Sequence, residues 1–133
     1  MIDDYKKKWK PLKIVCGLYF NIITGNYINF AVSEYYNDSI FSDLSQMVFI
    51  SMTSQDYKQL LSYKKVHKVA FEVLHHFFKH YLEMMFLKFN GDLIEKMLML
   101  LVHGTEEGSY DISLESCSCI NSFNEYVFNK LRQ

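Results

Sequence analysis

The stretch Lys64–Phe89, KKVHKVAFEVLHHFFKHYLEMMFLKF, constrains the fold more than any other part of the chain. Read at ~100° per residue, Val66, Val69, Ala70, Val73, Phe77, Tyr81 and Met84 share one face. Phe71, Leu74, Phe78, Leu82 and Met85 fall on the face beside it. Lys65, Lys68, Glu72, Lys79 and Glu83 take the remaining side with His75 and His76. An apolar arc this wide exceeds the single stripe of a surface helix. A helix that is greasy on two faces needs neighbours on both, which predicts an inner helix of a bundle or of a stacked helical repeat.

The flanking sequence supplies those neighbours. Pro11 suits the first turn of a helix, where its missing N–H costs nothing. Leu12–Thr24 then places Leu12, Val15, Cys16, Tyr19, Ile22 and Ile23 on one face. Gly25 is placed to end that helix with positive φ, and Asn26 to cap the next, along Tyr27, Phe30, Ala31 and Tyr35. Asn37-Asp38-Ser39 makes a turn before a helix over Ile40–Met52, with Leu44, Met47 and Val48 inward. Thr53-Ser54-Gln55-Asp56 is a cap-like cluster ahead of a short helix through Leu60 and Leu61, and Ser62 opens the central helix.

Asn90-Gly91 is a strong breaker. Asp92 and Glu95 have capping-box spacing for a helix carrying Leu93, Ile94, Met97, Leu98 and Leu101, which Gly104 closes. Thr105–Ser109 reads as a short linker, so its flanking helices should pack as antiparallel neighbours. The last helix runs from about Ile112 to Leu131, capped by Asp111, with Cys117, Ile120, Phe123, Val127 and Leu131 inward. No segment reads as a strand. The expected class is all-α, in one domain spanning residues 1–133.

Composition bounds the function. With 50% hydrophobic residues the chain can bury a real core, and 17% aromatic is high. A net charge of −1 gives no overall attraction to nucleic acid or to an anionic membrane. No apolar run approaches the ~20 residues of a spanning helix, and no signal peptide is legible. Three cysteines, an odd number, argue against a disulfide framework and for a reducing, intracellular setting. The lysines at 6, 7, 8, 10 and 13, around Trp9, read as a solvated helix edge partly balanced by Asp3 and Asp4, the alternative being a nuclear-localisation or acidic-partner patch.

Two constellations invite chemistry. His76 and His80 lie one turn apart, a spacing that holds a metal, with His75 beside them, but no HExxH glutamate is present. Cys117 and Cys119 lie two apart, about 200° around a helix, so their sulfurs diverge. Cys117 is expected inward and Cys119 outward. Glu106 and Glu107 read as solvated. There is no phosphate loop, nucleophile elbow or paired carboxylate in an apolar setting. The expectation is therefore no enzyme, no catalytic residue, no cofactor and no metal.

A resemblance extends this reading. Thr24-Gly25-Asn26-Tyr27-Ile28-Asn29-Phe30, the turn at Asn37-Asp38, and Leu60-Leu61-Ser62-Tyr63 resemble the exportin-7 family of nuclear transport receptors, within the importin-β superfamily. The likeness continues through Cys117-Ser118-Cys119-Ile120 and Tyr126-Val127-Phe128-Asn129-Lys130-Leu131, covering most of the chain from about Leu12. It departs at Lys64, where the family has proline, and in the segment after Gly104.

The resemblance implies HEAT-type antiparallel hairpins stacked as a short α-solenoid, a piece of the C-terminal portion of a longer receptor. It implies a karyopherin that binds protein cargo, the GTPase Ran and nucleoporins, and shuttles between cytoplasm and nucleus, without nucleic acid or membrane insertion. The main Ran contacts of that superfamily lie in N-terminal repeats, so no partner-binding residue is carried over to this chain. A stand-alone helical scaffold for protein partners is the first alternative; a small helical metal-binding protein using the histidines is the second.

Overall fold

Both apolar faces of the central stretch are covered by helices. The structure, a computed structural model, describes residues 9–25, 40–107 and 109–132. The described residues form α1 (Lys10–Thr24), α2 (Ile40–Thr53), α3 (Tyr57–Ser62), α4 (Lys64–His80), α5 (Leu82–Lys88), α6 (Gly91–Glu107) and α7 (Tyr110–Arg132), with no strand among them. The all-α expectation holds for these residues. Among them no helix is long and apolar enough to cross a membrane. The caps expected at Asn26 and at Asn37-Asp38-Ser39, and the helix along Tyr27–Tyr35, lie outside the described residues.

Helix α4 lies between α1 and α7, packed on both. Helix α2 packs on α6, α1 on α2, and α6 on α7. The helices thus stand in two rows, α1–α4–α7 and α2–α6. Phe71, Leu74, Phe77 and Phe78 are fully buried, as the two-faced pattern requires, whereas Tyr81 is only half-buried. Phe49 of α2 ties the rows together: its ring lies 4.7 Å from Phe77, 6.0 Å from Tyr19 and 6.1 Å from Phe89. The Tyr19 hydroxyl meets Ser45 Oγ at 2.5 Å, so the buried polar groups of the α1–α2 seam satisfy each other.

The central helix is not continuous to Phe89. It breaks at Tyr81, whose φ of −126° and ψ of 22° leave the helical region. Backbone bonding survives on both sides, with Tyr81 N–H donating to Phe77 C=O and Met85 N–H to Tyr81 C=O. No glycine or proline marks the bend, and the Tyr81 ring packs on Phe41 and Phe77 there. Beyond it, α5 buries Leu82, Met84 and Met85 and lays Phe86 against Phe123 and Tyr126 of α7.

Several helix ends differ from the sequence reading. Within the cap-like cluster at 53–56 it is Asp56 that caps α3, accepting from Lys58 N–H at 3.0 Å. Ser62 does not open α4: its hydroxyl donates to Gln59 C=O, and Tyr63 is the capping residue, without a side-chain bond. Asn90, not Asp92, caps α6, accepting from Leu93 N–H at 2.8 Å. Asn90 wins because its short amide reaches the third N–H of the turn, leaving Asp92 to oppose the positive helix end. Helix α7 begins at Tyr110, where Ser109 rather than Asp111 occupies the capping position. Gly25 ends α1 with φ of −87°, using no left-handed conformation. In α2, Val48 is buried but Met47 is exposed.

Gly104 does not close α6, which runs on through Glu107. A Cβ built at Gly104 would meet Ser116 Oγ and lie 2.6 Å from Phe71 Cε1. Its missing side chain lets α6, α4 and α7 approach at one point. Ser116, fully buried, is the small residue opposite, and its hydroxyl has no hydrogen-bond partner. Gly104→Ala should therefore lower stability by about 1–2 kcal/mol, overpacking outweighing the helix-propensity gain. Ser116→Ala should raise it by about 1 kcal/mol, since the lost hydroxyl is buried and unsatisfied. Urea unfolding of the two variants measures both signs.

Candidate functional site

Of the histidines singled out in the sequence, His76 and His80 lie together while His75 turns away. His75 turns toward α7, its Nε2 3.5 Å from Ser118 Oγ. His76 turns toward α1, edge-on to Phe20 at 6.2 Å, with the His80 ring at 4.5 Å. Among the described residues no group of three or more His, Cys, Asp or Glu is placed to hold a metal ion. His67, buried in α4, serves the fold: its Nδ1–H donates to Leu61 C=O at 2.8 Å and closes the α3–α4 corner.

Burial pushes the His76 pKa below its ordinary value, aided by the like charge of His80 and, more weakly, of His75 and Lys79; the Ile23 carbonyl opposes. The unfolded chain therefore takes up this proton first. Stability from this group is complete above the ordinary imidazole range near ~6.5 and falls as pH drops below it. Urea midpoints should decline from about pH 7.5 to about pH 5.5, and His76→Gln should flatten that decline. An unchanged slope in the variant would assign the pH dependence to other groups.

The cysteine expectation is reversed. Cys119 is buried and Cys117 exposed. The inward stripe of α7 is Ile112, Ser116 and Cys119, continued by half-buried Phe123 and Tyr126. It is rotated from the expected stripe by somewhat less than one residue's turn of ~100°. Leu131, expected inward, is 81% exposed. Ser116 is the α7 residue that meets Gly104, and its small side chain admits the close approach there. Burial pushes the Cys119 and Cys16 thiols up to about 12. A thiol reagent should label Cys117 in the folded protein, and Cys16 and Cys119 only on unfolding. Cys119→Ser should cost about 1–3 kcal/mol, and Cys117→Ser less than about 0.5 kcal/mol.

Among the described residues, three concavities have linings drawn from helices that are not consecutive in the chain. An apolar groove of about 320 Å³ runs between α5 and α7 over Phe86, Leu87, Tyr126 and Val127. A second, of about 480 Å³, has Lys64 and Lys68 facing Glu72, Asp111 and Glu115. Burial, with Glu72 and Asp111 nearby, raises the Glu115 pKa against the pull of Lys68. The third, of about 360 Å³, lies where the end of α2 and the start of α3 meet α6. Its lining includes Thr53, Gln55, Tyr57, Asp92, Glu95 and His103. Tyr57 and His103 stack face to face, with ring centroids 3.5 Å apart and planes 2° from parallel.

Sequence reasoning did not mark Tyr57 or His103, which are 46 residues apart by number, and read Asp92 and Glu95 as a cap. Only the α2–α6 and α3–α6 packing assembles them. Against family models, curated proteins and solved structures, the chain finds no match.

Proposed function

We propose that this chain is a run of HEAT-type hairpins from a nuclear transport receptor resembling the exportin-7 family. In such a receptor it serves as architecture and binding surface for Ran-dependent carriage of protein cargo between nucleus and cytoplasm, and performs no reaction. The observation that carries the reading is the outer face at each end of the α1–α4–α7 row, which no described helix covers. Helix α7 presents Tyr110, Leu114, Cys117 and Phe128 on the side opposite its buried stripe, and all four are exposed. Helix α1 likewise presents Ile14, Val15 and Leu18 outward.

Helix α4 has the same two-faced character, and both its faces are covered. Repeats of a solenoid bury their faces only against neighbouring repeats, so a row ending in apolar faces is what a solenoid segment presents when taken alone. The order and spacing of the resembling residues support the particular receptor family. A stand-alone protein-interaction scaffold is the competing reading.

Two measurements test the proposal. Sequencing the full transcript should reveal further helical hairpins upstream, and the complete product should be retained on immobilised GTP-loaded Ran and lost on the GDP-loaded form. A transcript encoding this chain alone would favour the scaffold. The 133-residue chain by itself should self-associate with rising concentration through its apolar ends. Leu114→Lys with Phe128→Lys should suppress that association in sedimentation without unfolding the protein, because both side chains are exposed. A monomer at high concentration would overturn the segment reading.

A further inference from the structure

The α2–α3–α6 cavity carries chemistry that neither the packing nor the transport reading uses. Its charged lining is Asp92, Glu95 and Lys96, a balance of one negative charge. Thr53 and Gln55 bring the C-terminal end of α2 to the same place, and no basic residue occupies the last turn of α2. The partial negative charge of that helix end is thus left without its own cation. The positive start of α6 lies at the same cavity and offsets that helix end, so the net negative charge is that of the side chains. The local field favours a cation.

The walls specify which kind. Met99 and Leu100 give the cavity an apolar floor suited to an aliphatic stem. The stacked Tyr57–His103 pair forms an aromatic wall in which each ring covers one face of the other. A planar guanidinium uses both features, lying on aromatic surface while its N–H fork reaches a carboxylate; an ammonium uses them less well. A volume of about 360 Å³ lies at the low end for ligand pockets and suits one side chain better than a cofactor.

We propose that this cavity is a docking pocket for an arginine side chain of a protein partner, with Asp92 and Glu95 as the anionic contacts and the Tyr57–His103 stack as the aromatic one. Lys96 is the internal competitor that keeps single-residue affinity low and leaves specificity to the rest of the partner. The inference goes beyond the transport reading and stands or falls independently of it.

The test uses the full chain and three probes: acetyl-Gly-Arg-Gly-amide, its citrulline counterpart of the same shape without charge, and spermidine. The arginine peptide should move the Tyr57 and His103 ring resonances in NMR spectra, saturating in roughly the millimolar range. Asp92→Asn with Glu95→Gln should weaken it by about tenfold or more. Lys96→Gln should strengthen it, a gain that a purely structural role for the site would not produce. Equal binding of the citrulline peptide, full affinity in the neutralised double variant, or unmoved ring resonances would overturn the proposal. Spermidine binding as tightly as the arginine peptide would mark the cavity as a polyamine site and overturn the arginine assignment.

Discussion

The packing of Phe49 against Phe77 is the interaction on which the two rows depend. Phe49 sits on α2 and Phe77 in the middle of α4, and their rings meet edge to face at 4.7 Å. Phe89 stacks on Phe77 from the corner between α5 and α6, and Tyr19 reaches Phe49 from α1. Each such pair contributes roughly 0.5–1.5 kcal/mol beyond the burial of its rings. Four chain segments distant in sequence are held by one aromatic cluster, so the rows cannot separate without exposing all of it.

From that cluster outward, the demands on each helix differ. Helix α4 must be apolar on two faces because α1 and α7 both press on it. Helices α1 and α7 each carry a second apolar face that no described helix covers. The break at Tyr81 turns α5 so that its three buried residues face the core while Phe86 reaches α7. Without the turn, α5 would continue the α4 axis, and Phe86 would lose its place beside Phe123 and Tyr126.

The cavity lined by Tyr57 and His103 follows from the same arrangement. The chain leaves α2 at Thr53, and Asp56 starts α3 at once by holding Lys58 N–H, which brings Tyr57 under α6. Asn90 takes the capping role at the start of α6 and leaves Asp92 and Glu95 at the cavity wall rather than in a capping box.

By itself the sequence determined that the described residues are helical and that Lys64–Phe89 supplies their centre. Recurrence of Val66, Ala70, Val73, Phe77 and their neighbours at helical spacing admits no strand, and the width of the arc demands two partners. It also placed a capping cluster over Thr53-Ser54-Gln55-Asp56 and a boundary at Asn90-Gly91, because short-range hydrogen bonding decides both. Only the tertiary structure decided the rotation of α7, the continuation of α6 past Gly104 and the assembly of Tyr57 with His103. The reason is steric. Large apolar residues dominate the helical period and point to the stripe through Cys117, Val127 and Leu131, whereas close packing selects the stripe through Ser116 and Cys119. The Ser116 side chain fits the notch at Gly104, and a notch between three helices is invisible until the helices are placed.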